Sequence, residues 1–99
     1  MNLTYEISRL AQQDLEEIWK YTSENWSLTQ ADKYYRNIVK EFGEICKHPE
    51  IGKPIDYVKP GHRTKGIKSH LIVYKIKNGK IWIDRVLHER MDIKTRLSE

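Results

Sequence analysis

A Ser-x-x-Gln tetrad, Ser27-Leu28-Thr29-Gln30, interrupts a long helical pattern and constrains this chain more than any other feature. In such a capping box the serine oxygen accepts from a free N–H at a helix start, and the glutamine reaches back toward another. One helix must end just before the tetrad and a second begin at it. Before it, Ala11, Leu15, Ile18, Trp19, Thr22 and Trp26 recur at steps of four, three, one, three and four, the stripe of an amphipathic helix over about 8–25 with Ser8 as N-cap. After it, Ala31, Tyr34, Tyr35, Ile38, Val39, Phe42, Ile45 and Cys46 form a second stripe. His48-Pro49 stops that helix, because proline disfavours helix at the residue before it. With only a residue or two between them, the helices are expected as an antiparallel hairpin.

The flanks follow a different period. Leu3, Tyr5 and Ile7 alternate with Thr4 and Glu6, as in a strand with one buried face. Residues 49–62 hold all three prolines and two glycines without a sustained period, which reads as a loop. Beyond it, 63–67, 70–77 and 80–88 are rich in β-branched and aromatic residues, and Asn78-Gly79 is a type I′ hairpin signal between the last two. Residues 92–97 are expected as a short helical turn or a frayed end. The order β-α-α-β-β-β predicts an α+β fold over one domain, 1–99, with the helical hairpin packed on one face of a mainly antiparallel four-stranded sheet. Ile72, Tyr74 and Ile76 lie on one side of the third strand and Leu71 and Val73 on the other. The second face is therefore expected to be open or covered by a partner.

Composition excludes several classes. Ten aromatic residues, Trp19, Trp26 and Trp82 among them, supply apolar area for a single core in a 99-residue chain. Cys46 is the only cysteine, so no intrachain disulfide forms, and the Cys/His spacings of structural zinc sites are absent. Neither a metal nor another cofactor is expected, and a reducing cytoplasm fits best. The longest apolar run, Leu71-Ile72-Val73-Tyr74, is far short of the ~20 residues that span a bilayer. Met1-Asn2-Leu3-Thr4 opens no signal peptide, so neither export nor a membrane partner is expected. Charge is polarised: residues 1–50 hold six Lys/Arg against nine Asp/Glu (−3), and residues 51–99 hold twelve against five (+7). A basic half of this kind suits nucleic acid or an acidic protein segment, or is simply a solvated face.

Taken in order, these residues resemble a known family. Ala11, Asp14-Leu15 and Ile18 are followed by Gln30-Ala31, Phe42, Ile45, Pro49 and Gly52. Then come Pro60-Gly61-His62-Arg63, Ser69-His70-Leu71-Ile72-Val73-Tyr74, and a closing Arg85-Val86-Leu87-His88-Glu89-Arg90-Met91-Asp92. The pattern covers nearly the whole chain and is similar to the RelE/ParE toxins of bacterial type II toxin-antitoxin modules, its ending most like the ParE branch. The resemblance implies a β-α-α-β-β-β toxin of the plasmid-stabilisation type that poisons DNA gyrase or the gyrase-DNA complex. It also implies a cognate antitoxin, ParD-like or other, that neutralises the toxin in a hetero-oligomer. A RelE-like endoribonuclease cleaving mRNA is the alternative, and an inert binder that keeps only antitoxin affinity is a third.

The chemistry separates these readings. A ribonuclease needs a base for the attacking 2′-hydroxyl, an acid for the leaving 5′-oxygen and cations at the phosphorane. His62, His70, His88, Arg63, Arg85, Arg90, Lys65 and Lys68 are of suitable type. Arg85 and His88, however, are three apart and point to opposite faces of a regular strand unless a bulge intervenes. The mRNA-cleaving relatives add a tyrosine or histidine near the C-terminus, by the resemblance, whereas here the last tyrosine is Tyr74 and His88 is what remains. No catalytic residue is assigned under the gyrase reading, and Arg63, Arg85 and His88 under the nuclease reading. The partner-binding set is Arg63, Lys65, Lys68, Leu71, Val73 and Arg90. Bland roles stand beside these. Arg85 suits a pairing with Asp84 or Asp56, His88 with Glu89 or Asp92, and His70 with backbone. Exposed strand lysines discourage edge pairing. Cys46 reads as core, and one of the adjacent Tyr34 and Tyr35 as an exposed partner anchor.

Overall fold

A computed structural model describes residues 2–98; Met1, where the stretch read for an export signal begins, and Glu99 lie outside the described residues. The chain runs β1 (Thr4–Ile7), α1 (Arg9–Asn25), α2 (Leu28–Lys47), β2 (Lys53–Pro54), β3 (His62–Ile67), β4 (His70–Lys77), β5 (Lys80–His88) and α3 (Ile93–Leu97). Ser8 caps α1 by accepting from the Ala11 N–H, and Ser27 caps α2 by accepting from the Gln30 N–H, so both expected starts are present. Only Trp26 and Ser27 separate the two helices. At the β4–β5 turn Asn78 and Gly79 adopt φ of 54° and 69°, the left-handed pair that a type I′ turn requires.

The sheet has five strands rather than four, ordered β1-β5-β4-β3-β2, with β1 parallel to β5 and the other pairs antiparallel. The added strand is two residues within the expected loop, pairing Lys53 with Thr64 and Pro54 with Arg63. Two residues carry no period, and Pro54, having no N–H, suits the edge it occupies. The β4–β5 register slips between Val73 and Tyr74, which face Arg85 and Ile83, so Asp84 is the extra residue of a bulge. Three contacts fix it. Nε2 of buried His62 lies 2.6 Å from an Asp84 carboxylate oxygen, the Ser8 hydroxyl donates to the Asp84 carbonyl at 2.7 Å, and Lys75 approaches Asp84 at 3.9 Å. His62 Nδ1 meets the Pro60 carbonyl at 2.9 Å, so this histidine is committed to structure.

Both helices bury their stripes on one sheet face, where Leu15, Ile38, Phe42, Ile45, Ile72, Tyr74, Ile81 and Ile83 are fully buried. The second face departs from expectation. Val73 and Leu87 are also buried there, under Ile55 and Val58 of the 49–62 loop and Ile93 and Leu97 of α3. The chain covers this apolar strip itself, so Val73 is not an exposed partner contact. Isolated apolar residues in aperiodic segments supply the cover, which is why the sequence pattern did not reveal it.

Gly52 is held against the buried Tyr74 ring. Its N–H donates to the Tyr74 hydroxyl at 2.9 Å, and that hydroxyl donates to the Pro49 carbonyl at 2.6 Å. A Cβ on Gly52 would lie 2.6 Å from the Tyr74 oxygen, 2.7 Å from Cε1 and 3.0 Å from the Thr64 carbonyl oxygen. Gly52→Ala is expected to destabilise the fold by about 1–3 kcal/mol, the range for overpacking a filled site. A urea midpoint unchanged from the parent would contradict this packing.

Candidate functional site

The hairpin does not close fully over the ends of β4 and β5, and an open groove of about 670 Å³ remains between α1, α2 and these strands. Ile18 and Val86 line its apolar floor, and Tyr21, Trp26 and Met91 stand at it exposed. Trp26 is 75% exposed and Tyr21 65%. Trp26 is expected in the core stripe, but it is the C-cap residue of α1, and its non-helical φ of −128° and ψ of −85° take its side chain off that stripe. Trp19, by contrast, is half-buried and donates its indole N–H to Asp32 across the hairpin at 2.9 Å.

Three aromatic side chains meet in the groove. The Tyr34 hydroxyl lies 2.6 Å from His70 Nδ1 and 3.1 Å from the Ile67 carbonyl oxygen, and the His70 and His88 rings contact edge to face with centroids 5.3 Å apart. The Ile67 carbonyl can only accept, so in the tautomer that keeps both contacts the Tyr34 proton goes to it and His70 Nδ1 donates to Tyr34. His88 Nδ1 accepts from the Arg90 backbone N–H at 3.1 Å, which leaves the proton of neutral His88 on Nε2. Neither Nε2 has a protein partner among the described residues. In that tautomer His70 Nε2 is an acceptor and His88 Nε2 a donor, on two rings that both line the groove.

Burial, with the neighbouring His88 as a second cause, lowers the His70 pKa from its ordinary 6.5, and burial raises that of Tyr34. The unfolded chain then binds the His70 proton more readily than the folded one, so stability rises with pH across this window. The contribution is complete above pH 6.5 and is lost as pH falls through the lowered folded value. Thermal melting is expected to drop from neutral toward mildly acidic pH, and His70→Gln to remove part of that drop. An identical pH profile in the variant would contradict the assignment.

The residues singled out in sequence are scattered. Arg63 donates to the Gly52 carbonyl at 2.8 Å and braces the β2 edge. Lys65 pairs with Glu41 of α2 at 3.4 Å. Lys68, in a left-handed turn at φ 49°, is exposed with its ammonium 5.7 Å from the centre of the Tyr34 ring. Leu71 is half-buried, and Arg90 is exposed. Arg85 is buried and paired, as its bland reading held, but the carboxylate is Asp14 and not Asp84 or Asp56. Nε donates to Oδ2 at 2.8 Å and Nη2 to Oδ1 at 3.0 Å, while Nη1 donates to the Arg96 carbonyl at 3.2 Å. The bulge falls before Arg85, so it does not bring Arg85 and His88 to one face. Of Arg63, Arg85 and His88, only His88 lines the groove. Sequence reasoning missed the groove itself, with Tyr34 and His70 joined and Tyr21, Trp26 and Met91 exposed. The two adjacent tyrosines of α2 were its one visible sign, and both are half-buried against the core.

Comparison with known proteins places this geometry. The model of the ParE toxin family of type II toxin-antitoxin systems (parDE) matches residues 5–93. Toxin ParE1 of Mycobacterium tuberculosis is 37% identical over 98 residues, spanning 98% of this chain and all of the relative. Toxin ParE1 of Caulobacter vibrioides is 33% identical over 93 residues, or 94% of this chain and 96% of the relative. Among solved structures, a chain of the chromosomal ParDE toxin-antitoxin system from P. aeruginosa has the same fold, with a TM-score of 0.77 at 20% identity over 87% of this chain and 95% of that one. With its sequence matched nearly end to end and its helical hairpin seated on the same kind of sheet, the chain belongs to the ParE toxin family of type II toxin-antitoxin systems.

Proposed function

We propose that this ParE-family toxin acts without catalysis, in the cytoplasm, as a poison of DNA gyrase or the gyrase-DNA complex, and that a cognate antitoxin neutralises it in a hetero-oligomer. The observation that carries the non-catalytic reading is the dispersal of the nuclease set. Arg85 is spent on Asp14, Arg63 on the Gly52 carbonyl, and His88 stands in the groove without either. A phosphorane gains nothing from cations committed elsewhere.

The antitoxin is assigned to the outer edge of β3. Strand β2 pairs only with Arg63 and Thr64, so the edge from Lys65 to Ile67 has no strand partner among the described residues. An extended acidic segment added there gains main-chain hydrogen bonds, with Lys65, Lys68, Arg90 and half-buried Leu71 as its contacts. Expression without the antitoxin is expected to induce DNA-damage signalling and filamentation. Cleavage of ribosome-bound mRNA with supercoiling untouched would instead establish the RelE-like reading.

A further inference from the structure

We propose that the groove between the hairpin and the ends of β4 and β5 binds an unpaired nucleotide of single-stranded DNA, stacking its base on Trp26 or Tyr21 and reading its edge with His70 and His88. The choice of DNA rests on the gyrase-DNA reading above; the site itself rests on three features of the groove. Its volume of about 670 Å³ falls within the roughly 300–1,000 Å³ usual for small-ligand sites. Trp26 and Tyr21 stand exposed at it, and aromatic faces accept any base because every base has a π-face. The His70 and His88 rings line the groove with centroids 5.3 Å apart, so an acceptor on one Nε2 and a donor on the other suit the neighbouring donor and acceptor that each base carries on its pairing edge.

Charge completes the fit. Lys33 and Lys68 line the same groove as candidate phosphate contacts. Two carboxylates oppose them. Asp14 is neutralised by the Arg85 guanidinium, and Glu17 is in no ion pair among the described residues, so the balance there favours an anion by one charge. A protein of this kind would hold a base exposed by strand opening and so slow rejoining of the DNA.

The test is fluorescence anisotropy of a labelled oligodeoxyadenylate of about ten nucleotides with the full chain at low salt. Trp26→Ala is expected to weaken binding by about five- to a hundred-fold, the loss usual for one stacked base. His88→Ala and Lys33→Glu are expected to weaken it as well, and Glu17→Gln to tighten it. Lys77→Glu, an exposed lysine outside the groove, serves as the charge control and is expected to change little. Several outcomes would overturn the proposal: no binding, equal losses in Trp26→Ala and Lys77→Glu, binding of RNA but not DNA, or Trp26→Ala sparing DNA while abolishing antitoxin association. Gyrase cleavage assays run in parallel keep the two readings apart. Cleaved complexes without oligonucleotide binding would refute the nucleotide site alone, and binding without cleaved complexes would refute the gyrase reading.

Discussion

Arg85→Glu is expected to strip at least about 3–5 kcal/mol from the stability of the fold. Arg85 is 8% exposed, and its guanidinium grips both oxygens of Asp14 while also capping the Arg96 carbonyl of α3. The same Asp14 accepts from the Val86 N–H at 2.9 Å, so one carboxylate fastens α1 to the strand at two points. Removing one member of a buried pair costs about 3–5 kcal/mol, because the other charge is left without compensation. The substitution also sets a carboxylate against Asp14. Small domains have roughly 5–15 kcal/mol in total, so this loss consumes a large share of it. Arg85→Lys is expected to be intermediate, since an ammonium cannot make the two parallel bonds of the fork. Circular dichroism and urea denaturation read the result. Parent-like unfolding of Arg85→Glu would mean that the pair does not hold the fold.

Reversing Lys68 and Arg90 together should do the opposite, sparing the fold and damaging recognition. Both are exposed, and neither is in an ion pair among the described residues, although Lys68 lies beside the Tyr34 ring. Exposed changes of this kind usually move stability by about ±0.5 kcal/mol. Association with the antitoxin is expected to slow by on the order of 10²-fold at ~0.1 M salt, chiefly in the encounter step. The gap between parent and variant should narrow toward 1 M salt, where the Debye length falls from ~10 Å to ~3 Å. Arg63 is unsuitable for this comparison because its guanidinium supports the Gly52 carbonyl. Equal affinities for parent and variant across the salt range would move recognition to uncharged surfaces.

Local signals were legible where a few neighbouring residues decide the outcome. Ser8 and Ser27 announced both helix starts, Asn78-Gly79 announced its turn, and alternation at residues 3–7 with β-branched and aromatic runs beyond residue 62 located four strands. What remained hidden depends on partners distant in sequence. Asp14 and Arg85 are 71 residues apart, and neither position alone indicates the other. The bulge at Asp84 is held by His62 and Ser8, 22 and 76 positions away in sequence, and it sets the phase of every side chain after Ile83. Val73 read as exposed because Ile55 and Leu97, which cover it, occupy segments with no period. The groove was hidden for the same reason: its walls come from both helices and two strands, and His70 is paired to Tyr34 across 36 positions.

The central claim is that this toxin acts on gyrase and not on mRNA. The direct measurement incubates the purified chain with DNA gyrase, ATP and supercoiled plasmid, traps the products with detergent and protease, and separates them by electrophoresis. Linear DNA from stalled cleaved complexes is expected to accumulate with toxin dose and to disappear when the cognate antitoxin is added in excess. A plasmid whose supercoiling and cleavage are unaffected, together with toxin-dependent cuts in ribosome-bound mRNA that His88→Ala slows by ~10² or more, would contradict the account.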